Sequence, residues 1–258
     1  MFDYHLHSTV SFDGQMTPKE VIAAAKASGM KEICFTDHID YMKDEERFFT
    51  KEEYLAAYEG LTDDALTLRF GVEYGITPRN AERAKRELAE IPYDFVLGSV
   101  HSVRDLNTCS PAFWEGRATR DAYRDYLNEV LDTLRVNDNF DSLGHLTYVC
   151  KVIANPDKFP ILYKDEPELL DAILSELAKK DKGLEINTSS LSRTGGFLPT
   201  PDVVRRFKEL GGKIITVGSD AHITSRVGEY CLDACLIAKE IFGYVCTFQN
   251  RQPIFHKL

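Results

Sequence analysis

The sequence contains 258 residues, 43% of them hydrophobic and 11% aromatic, which favours a single large domain over residues 1–258. Its 31 basic and 41 acidic side chains give a net charge of −10, which disfavours binding to nucleic acid or to anionic membranes through bulk electrostatic attraction. No apolar run approaches the ~20 residues of a membrane-spanning helix, so a helical membrane protein is not expected.

In chain order, short apolar runs rich in strand-forming residues alternate with longer segments of helical periodicity. Strands are predicted at residues 2–6, 32–36, 69–74, 95–100, 140–144, 183–187 and 214–218. Helices are predicted at residues 17–28, 51–66, 79–91, 119–137, 166–180, 200–210 and 226–242. Thr17-Pro18 and Thr200-Pro201 have the pattern of a helix cap followed by proline in the first turn.

Seven strand–helix units in series predict an α/β fold with a parallel sheet and right-handed crossovers. A closed or nearly closed barrel fits this number better than a doubly wound sheet. The doubly wound dinucleotide-binding fold places a glycine-rich turn after its first strand, whereas this chain has His5-Leu-His7-Ser-Thr. Residues 102–117, which include the only tryptophan, Trp114, are predicted to form an irregular loop over the active face.

Six cysteines occur without a Cys-x-x-Cys pair, a distribution typical of buried or half-buried free thiols. They are Cys34, Cys109, Cys150, Cys231, Cys235 and Cys246. The chain enters its first predicted strand directly, without the basic and apolar segments of a secretion signal. We therefore expect a reduced, cytoplasmic protein.

Histidines and acidic residues follow six of the seven predicted strands, at the edge where parallel α/β folds gather their functional groups. These residues are His5 and His7, His38, Glu73, His101, His145, and Asp220 with His222. His5 and His7 are two apart on a strand, so both point to the same side and can hold one ion. Nitrogen and carboxylate ligands without thiolate suit Zn, Mn, Fe or Co, and this set exceeds the needs of one ion. A single histidine at a strand end is usually structural, but the joint pattern predicts a centre of two or three divalent cations. His256 lies outside the pattern and is expected at the surface.

The motifs resemble those of the PHP (polymerase and histidinol phosphatase) superfamily, and the resemblance extends over essentially the whole chain. They are His5-Leu-His7-Ser, Asp13-Gly14, Thr36-Asp37-His38, Glu73, His101, Gly144-His145 and Ser219-Asp220-Ala221-His222. The length and the segment Asn187-Thr-Ser-Ser-Leu-Ser-Arg193 are most similar to the histidinol-phosphatase branch. The resemblance implies a distorted (β/α)7 barrel with a trinuclear metal centre.

The resemblance also implies how the metal ligands are shared. His5, His7, Glu73 and Asp220 would hold the first ion, and Glu73 would share the second with His101 and His145. Asp13, His38 and His222 would hold the third, although Asp13 in Phe12-Asp13-Gly14 could also be a plain turn residue. The expected catalytic residues among these are Glu73, Asp220, His222 and Asp13.

Such a centre suits hydrolysis of a small phosphate ester by a hydroxide held between the cations. Arg193, after the sixth strand, and Lys151 are the expected phosphate-binding residues, with Arg104, Arg117 and Arg226 as weaker candidates. The leaving group could receive its proton from a metal-bound water, Asp13 or His222. The imidazole and ammonium groups of histidinol phosphate would need an acidic or aromatic pocket, for which the candidates are Asp40, Tyr41, Asp105 and Trp114.

The first functional hypothesis is hydrolysis of L-histidinol phosphate in histidine biosynthesis. A broader phosphoesterase acting on another small ester or nucleotide is the alternative within the family. An amidohydrolase that cleaves C–N bonds is disfavoured by Glu73 after the third strand and by Ser99-Val-His101, where such enzymes place a lysine. A non-enzymatic metal-binding or polymerase-accessory module is disfavoured by the full ligand set and the acidic composition.

Overall fold

The computed structural model describes residues 1–42, 45–152, 155, 157 and 159–258. Its strands are β1 Phe2–Leu6, β2 Glu32–Phe35, β3 His38–Met42, β4 Glu45–Arg47, β5 Thr67–Gly75, β6 Phe95–Ser99, β7 Ser102–Val103, β8 Leu106–Asn107, β9 Ser142–Leu143, β10 Gly183–Asn187, β11 Ile215–Gly218, β12 Tyr244–Gln249 and β13 Gln252–Lys257. Its α-helices are α1 Pro18–Ala27, α2 Lys51–Tyr58, α3 Ala81–Glu87, α4 Pro111–Trp114, α5 Thr119–Val136, α6 Pro167–Lys179, α7 Leu191–Thr194, α8 Pro201–Glu209 and α9 Cys231–Phe242.

Seven parallel strands form a nearly closed barrel in the order β1-β2-β5-β6-β9-β10-β11. The first and last strands meet at their carboxyl ends, where the backbone N–H of Asp220 donates to the His5 carbonyl at 2.8 Å. The His7 N–H likewise donates to the Ala221 carbonyl at 3.0 Å. The predicted (β/α)7 barrel is therefore confirmed, and its near-closure brings the two ends of the ligand pattern side by side.

Apolar side chains from the strands and from the inner faces of the helices form one main core. Buried examples are Phe35 and Val96 on strands and Val21, Leu127 and Leu170 on helices. Burying a side chain of this size stabilises the fold by about 1.5–3 kcal/mol, so the strands that carry the ligands are held firmly. Five cysteines are buried, but Cys109 is exposed, which corrects the expectation for that thiol.

The capped start of α1 was predicted correctly, whereas other helix boundaries differ from the prediction. The Thr17 side chain accepts from the Glu20 backbone and the Glu20 side chain from the Thr17 backbone, which caps α1 as predicted. Helix α2 was predicted to reach residue 66 but ends at Tyr58, because Gly60 adopts a positive φ of 75° and turns the chain away. Helices α3 and α9 are also shorter than predicted.

Within the described residues, three antiparallel strand pairs were not predicted from the sequence. Strands β3 and β4 pair beside the barrel, β7 pairs β8 after the fourth barrel strand, and β12 pairs β13 near the chain end. The segment predicted as an irregular loop at 102–117 thus contains β7, β8 and the short helix α4. Among the described residues, no helix combines the length and apolar character needed to cross a bilayer.

Candidate metal centre

The nine predicted metal ligands converge at the mouth formed by the carboxyl ends of the barrel strands. His5 lies within β1 and His7 just after it, and both side chains are buried. His38 begins β3 in register with Glu73 on β5, so these two side chains enter the mouth together. His145 and Asp220 have positive φ angles of 45° and 55°, which are uncommon for non-glycine residues. Such backbone strain concentrates at functional sites, because the surrounding structure must hold it in place.

Glu73 occupies the centre of the cluster, with its carboxylate fully buried among five imidazoles. The contact distances from its oxygens are 3.1 Å to His5, 3.5 Å to His7, 3.1 Å to His38, 3.3 Å to His101 and 2.9 Å to His145. Its Oε1 also accepts a hydrogen bond of 2.6 Å from Ser99 Oγ, which fixes the orientation of the carboxylate. One carboxylate thus faces two groups of histidines, the arrangement required of a ligand shared between two cations.

A second cluster lies at the outer side of the mouth. Asp13 Oδ2 lies 3.2 Å from His222 Nε2 and 3.7 Å from His38 Nε2. Asp220 Oδ1 lies 3.4 Å from His7 Nε2, so it connects this cluster to the centre. The Asp13 and His222 side chains are 35% and 28% exposed, whereas the Glu73 side chain is completely buried. This part of the site is therefore the part open to solvent.

The donor atoms fit divalent cations in number, kind and spacing. Ligand atoms within 4.8 Å of one another occur in five groups: His5–His7–Glu73, His5–His145–Asp220, Glu73–His101–His145, His7–Asp13–His38–His222 and His38–Asp40–His101. Within the described part of the chain, buried atoms without a hydrogen-bond partner include His5 Nε2, His7 Nε2, Asp13 Oδ1 and Glu73 Oε2. Leaving such atoms unpaired costs free energy, which bound cations would recover.

Burial and charge set the protonation of the cluster without metal. Burial lowers the pKa of His145 to about 4, so this imidazole is neutral and ready to bind a cation. Burial also opposes the charge on His5, but Glu73 and two other carboxylates outweigh it and raise the pKa of His5 well above its usual value. Burial would raise the pKa of Asp13, yet the hydrogen bond from His222 and nearby imidazole charges lower it to about 2. Asp13 is therefore ionised, as a metal ligand must be.

Two buried carboxylates in the site were not identified from the sequence as partners of the histidines. Asp40 had been considered for a substrate pocket, but it lies in β3 and binds His101 Nδ1 at 2.9 Å. Glu185 in β10 binds His5 Nδ1 at 2.7 Å, and burial raises its pKa to about 7 despite this contact. The sequence signal for Glu185 is a charged residue between two apolar neighbours, Leu184 and Ile186, in a predicted strand.

The other pocket candidates lie elsewhere. The Tyr41 ring is covered by the Arg83 guanidinium at 3.3 Å from the ring centroid, and Arg79 binds Asp105. Trp114 is buried and donates from Nε1 to the Thr108 carbonyl at 2.8 Å. These contacts give Tyr41, Asp105 and Trp114 structural partners, and their part in a substrate pocket stays a prediction.

A cavity of about 260 Å³ opens next to Asp220 and His222 and is lined by three basic residues. Its lining comprises Lys151, Ser189, Arg193, Asp220, His222, Ile223 and Arg226. Lys151 Nζ contacts the Asp220 carboxylate and lies 2.9 Å from Ser189 Oγ. Arg226, one of the weaker candidates, shares this cavity, whereas Arg117 binds Asp125 at 3.1 Å. Arg104 lies in the β7–β8 turn, at a positive φ of 51°, and does not line this cavity.

A nearly closed parallel barrel with a buried cluster of imidazoles and carboxylates at one mouth defines a class of metal-binding α/β-barrel proteins. The PHP domain model matches residues 3–189, and the chain belongs to this family.

Relatives over almost the full length have a common name. The chain is 36% identical to the histidinol-phosphatase of Lactococcus lactis subsp. lactis, over 87% of this chain and 85% of that protein. It is 29% identical to a protein of Clostridium acetobutylicum named "Probable histidinol-phosphatase", over 99% and 96% of the two chains. A solved histidinol phosphate phosphatase of Lactococcus lactis, complexed with zinc, L-histidinol and phosphate, matches with a TM-score of 0.87, 32% identity and 98% coverage of both chains.

Proposed function

We propose that this protein is a histidinol-phosphate phosphatase, which hydrolyses L-histidinol phosphate to L-histidinol and phosphate. The observation that carries the proposal is the position of the basic cavity, whose wall includes Asp220 and His222 of the metal cluster. A phosphate group in that cavity would contact basic side chains and bound cations together. The similarity to the Lactococcus lactis enzyme over almost the whole chain supports the choice of substrate.

We assign three cation positions to the cluster. His5, His7, Glu73 and Asp220 would hold the first ion, Glu73 with His101 and His145 the second, and Asp13 with His38 and His222 the third. When bound, divalent cations in such a site supply Lewis acidity toward the phosphate and a lowered pKa for bound water. Zinc is proposed because the Lactococcus lactis structure contains it, although imidazole and carboxylate ligands also accept manganese and iron.

The protein's own side chains bind and orient the phosphate. Arg193 offers a guanidinium whose planar fork matches two phosphate oxygens, and Lys151 adds a compact positive charge. Arg226 lines the same cavity, but its guanidinium binds Glu229 at 2.7 Å and the Ser189 carbonyl at 3.0 Å, so its contribution to phosphate binding is smaller. Lys151 and Arg226 are paired with Asp220 and Glu229, so in this acidic protein a phosphate dianion would need the bound cations as well as these side chains. Phosphate binding is therefore local to this cavity, in agreement with the net charge of −10.

The proton for the leaving oxygen has a restricted choice of donors. Because the pKa of Asp13 is lowered to about 2, its carboxyl is ionised and cannot act as an acid near neutral pH. His222 lies 3.2 Å from that carboxylate and is partly exposed at the mouth, so it could donate a proton only when it does not hold the third cation. A water held at the site is the other donor. A cytoplasmic location and a small phosphorylated substrate complete the proposal, and both stay predictions.

A panel of phosphate monoesters tests the proposal. Purified protein is supplied with zinc or manganese, and inorganic phosphate release is measured from L-histidinol phosphate, sugar phosphates and nucleoside monophosphates. We expect kcat/KM for L-histidinol phosphate to exceed the others by orders of magnitude. Similar values across the panel would favour the broader phosphoesterase, and no release from any ester would favour a metal-binding module without catalysis.

A further inference from the structure

We infer that Asp40 is a positioning residue that fixes His101 and His38 with one buried carboxylate and so couples the second and third cation positions. The inference rests on the proposed metal-dependent function. Asp40 lies in β3 and its side chain is almost fully buried. Its Oδ1 is hydrogen-bonded to His101 Nδ1 at 2.9 Å, and its Oδ2 lies 3.2 Å from His38 Nδ1, within ion-pair distance.

The atoms that Asp40 contacts determine which atoms remain for a cation. A proton on Nδ1 held by the carboxylate leaves Nε2 of the same ring with a free lone pair. His101 Nε2 lies 3.3 Å from Glu73 Oε1 and 3.4 Å from His145 Nε2, at the second cation position. His38 Nε2 lies 3.7 Å from Asp13 Oδ2, at the third position. Asp40 is thus hydrogen-bonded to a ligand of the second ion and lies at ion-pair distance from His38 Nδ1, a nitrogen that Glu73 Oε2 also approaches at 3.1 Å.

Space for the Asp40 carboxylate is provided by Gly75, at the end of β5. A Cβ atom built on Gly75 would lie 2.0 Å from Asp40 Oδ1 and 3.0 Å from its Cγ. Gly75 does not have a positive φ, so its backbone conformation does not require glycine. Position 75 excludes any side chain because that side chain would collide with the Asp40 carboxylate.

The same arrangement occurs independently at His5. Glu185 Oε1 binds His5 Nδ1 at 2.7 Å, while His5 Nε2 faces Glu73 at 3.1 Å. A Cβ on Gly218 would lie 2.3 Å from Glu185 Oε1. Two buried carboxylates thus hold ligand histidines from behind, and each is accommodated by a glycine on the neighbouring strand. Asp40 differs because it contacts two imidazoles.

The variants Asp40→Asn and Gly75→Ala test this role. Asparagine keeps the size of the side chain but offers one oxygen for two imidazoles, and its amide nitrogen cannot accept a hydrogen bond. Alanine at position 75 leaves Asp40 in place chemically but pushes its carboxylate aside. Asp105→Asn is the matched control, because Asp105 is a carboxylate on the same side of the barrel that pairs with Arg79. Circular dichroism establishes that each variant is folded.

The readout is zinc affinity, measured by competition with a chromophoric chelator on metal-free protein. Loss of a group that orients a metal ligand lowers affinity by about 10- to 100-fold, and we expect this for Asp40→Asn and Gly75→Ala. Excess zinc should restore the full number of bound ions and most phosphatase activity, because every ligand is still present. The control should bind zinc like the unmodified protein.

Three results would overturn the inference. Zinc affinity of Asp40→Asn equal to that of the unmodified protein would assign Asp40 no positioning role. A folded Asp40→Asn that lacks one zinc ion even at saturation would make Asp40 a ligand itself. Failure of the unmodified protein to bind zinc, manganese or iron would remove the proposed function as well, which distinguishes that failure from the first two.

Discussion

Replacing Glu73 by glutamine removes one negative charge from the centre of the imidazole cluster while keeping the shape of the side chain. In the structure, Oε2 faces His5, His7 and His38, and Oε1 faces His101 and His145. An amide has only one oxygen, and its nitrogen cannot bind a cation. Whichever way the amide is turned, one of the two groups of histidines loses its carboxylate ligand.

The size of the effect follows from this geometry. Loss of one cation removes several kcal/mol of transition-state charge stabilisation. Taking this as about 4 kcal/mol, with 1.36 kcal/mol for each factor of ten, kcat should fall roughly 1000-fold. The barrel itself should remain folded, because Glu73 contacts the cluster and not the apolar core.

Elemental analysis and phosphate release from L-histidinol phosphate measure the two consequences of Glu73→Gln. We expect the loss of at least one metal equivalent per chain together with nearly all turnover. Glu59→Gln, at an exposed position after α2, is the matched control and should leave both unchanged. A Glu73→Gln variant with full metal content and kcat within an order of magnitude of the unmodified protein would refute the shared-ligand assignment.

Three further predictions concern phosphate binding, protonation and folding. Arg193→Ala should raise KM for L-histidinol phosphate about 10- to 100-fold with little change in kcat, because a hydrogen bond to a charged group contributes ~1.5–3 kcal/mol. An unchanged KM would show that Arg193 does not bind the phosphate. Zinc binding should release protons near neutral pH. Burial opposes a positive charge on His5, His38 and His101, but neighbouring carboxylates outweigh it and raise the pKa of each imidazole. Because only a neutral imidazole binds zinc, these protons must leave when the ion binds. Zinc affinity should therefore fall as pH is lowered, and calorimetry that showed no dependence on buffer ionisation enthalpy would contradict this. Thr17→Ala should lower Tm by about 2–4 °C through loss of ~1 kcal/mol of helix capping, and a changed kcat would show that the cap affects the site.

The barrel and the convergence of ligands were predictable because both follow from strand periodicity. Strand β1 and strand β10 have the predicted bounds, since each is a short apolar run with clear neighbours. Once the strands are parallel, residues that follow them share one mouth of the barrel. His145 and Asp220 could therefore be placed at the site, but the positive φ that aims each side chain could not be read from the sequence.

Features that depend on long-range packing were less predictable. The hairpin of β12 and β13 was not predicted from the sequence. Its tight turn depends on the positive φ angles of Asn250 and Arg251, which only the structure shows. The position of Asp40 in a strand is hard to predict, because β3 pairs with β5 over only two residues, His38 and Ile39, which is too few for a periodic pattern in the sequence. Glu185 was overlooked because its partner, His5, lies 180 residues away and meets it only when the barrel closes.

Anomalous diffraction at the zinc absorption edge, from crystals of the protein grown with zinc, tests the central claim most directly. The claim is that residues from position 5 to position 222 hold a cluster of divalent cations in one mouth of the barrel. We expect two or three strong peaks enclosed by the imidazoles and carboxylates around Glu73 and Asp220. Crystals with zinc only at surface sites, and no peak beside Glu73, would contradict the claim.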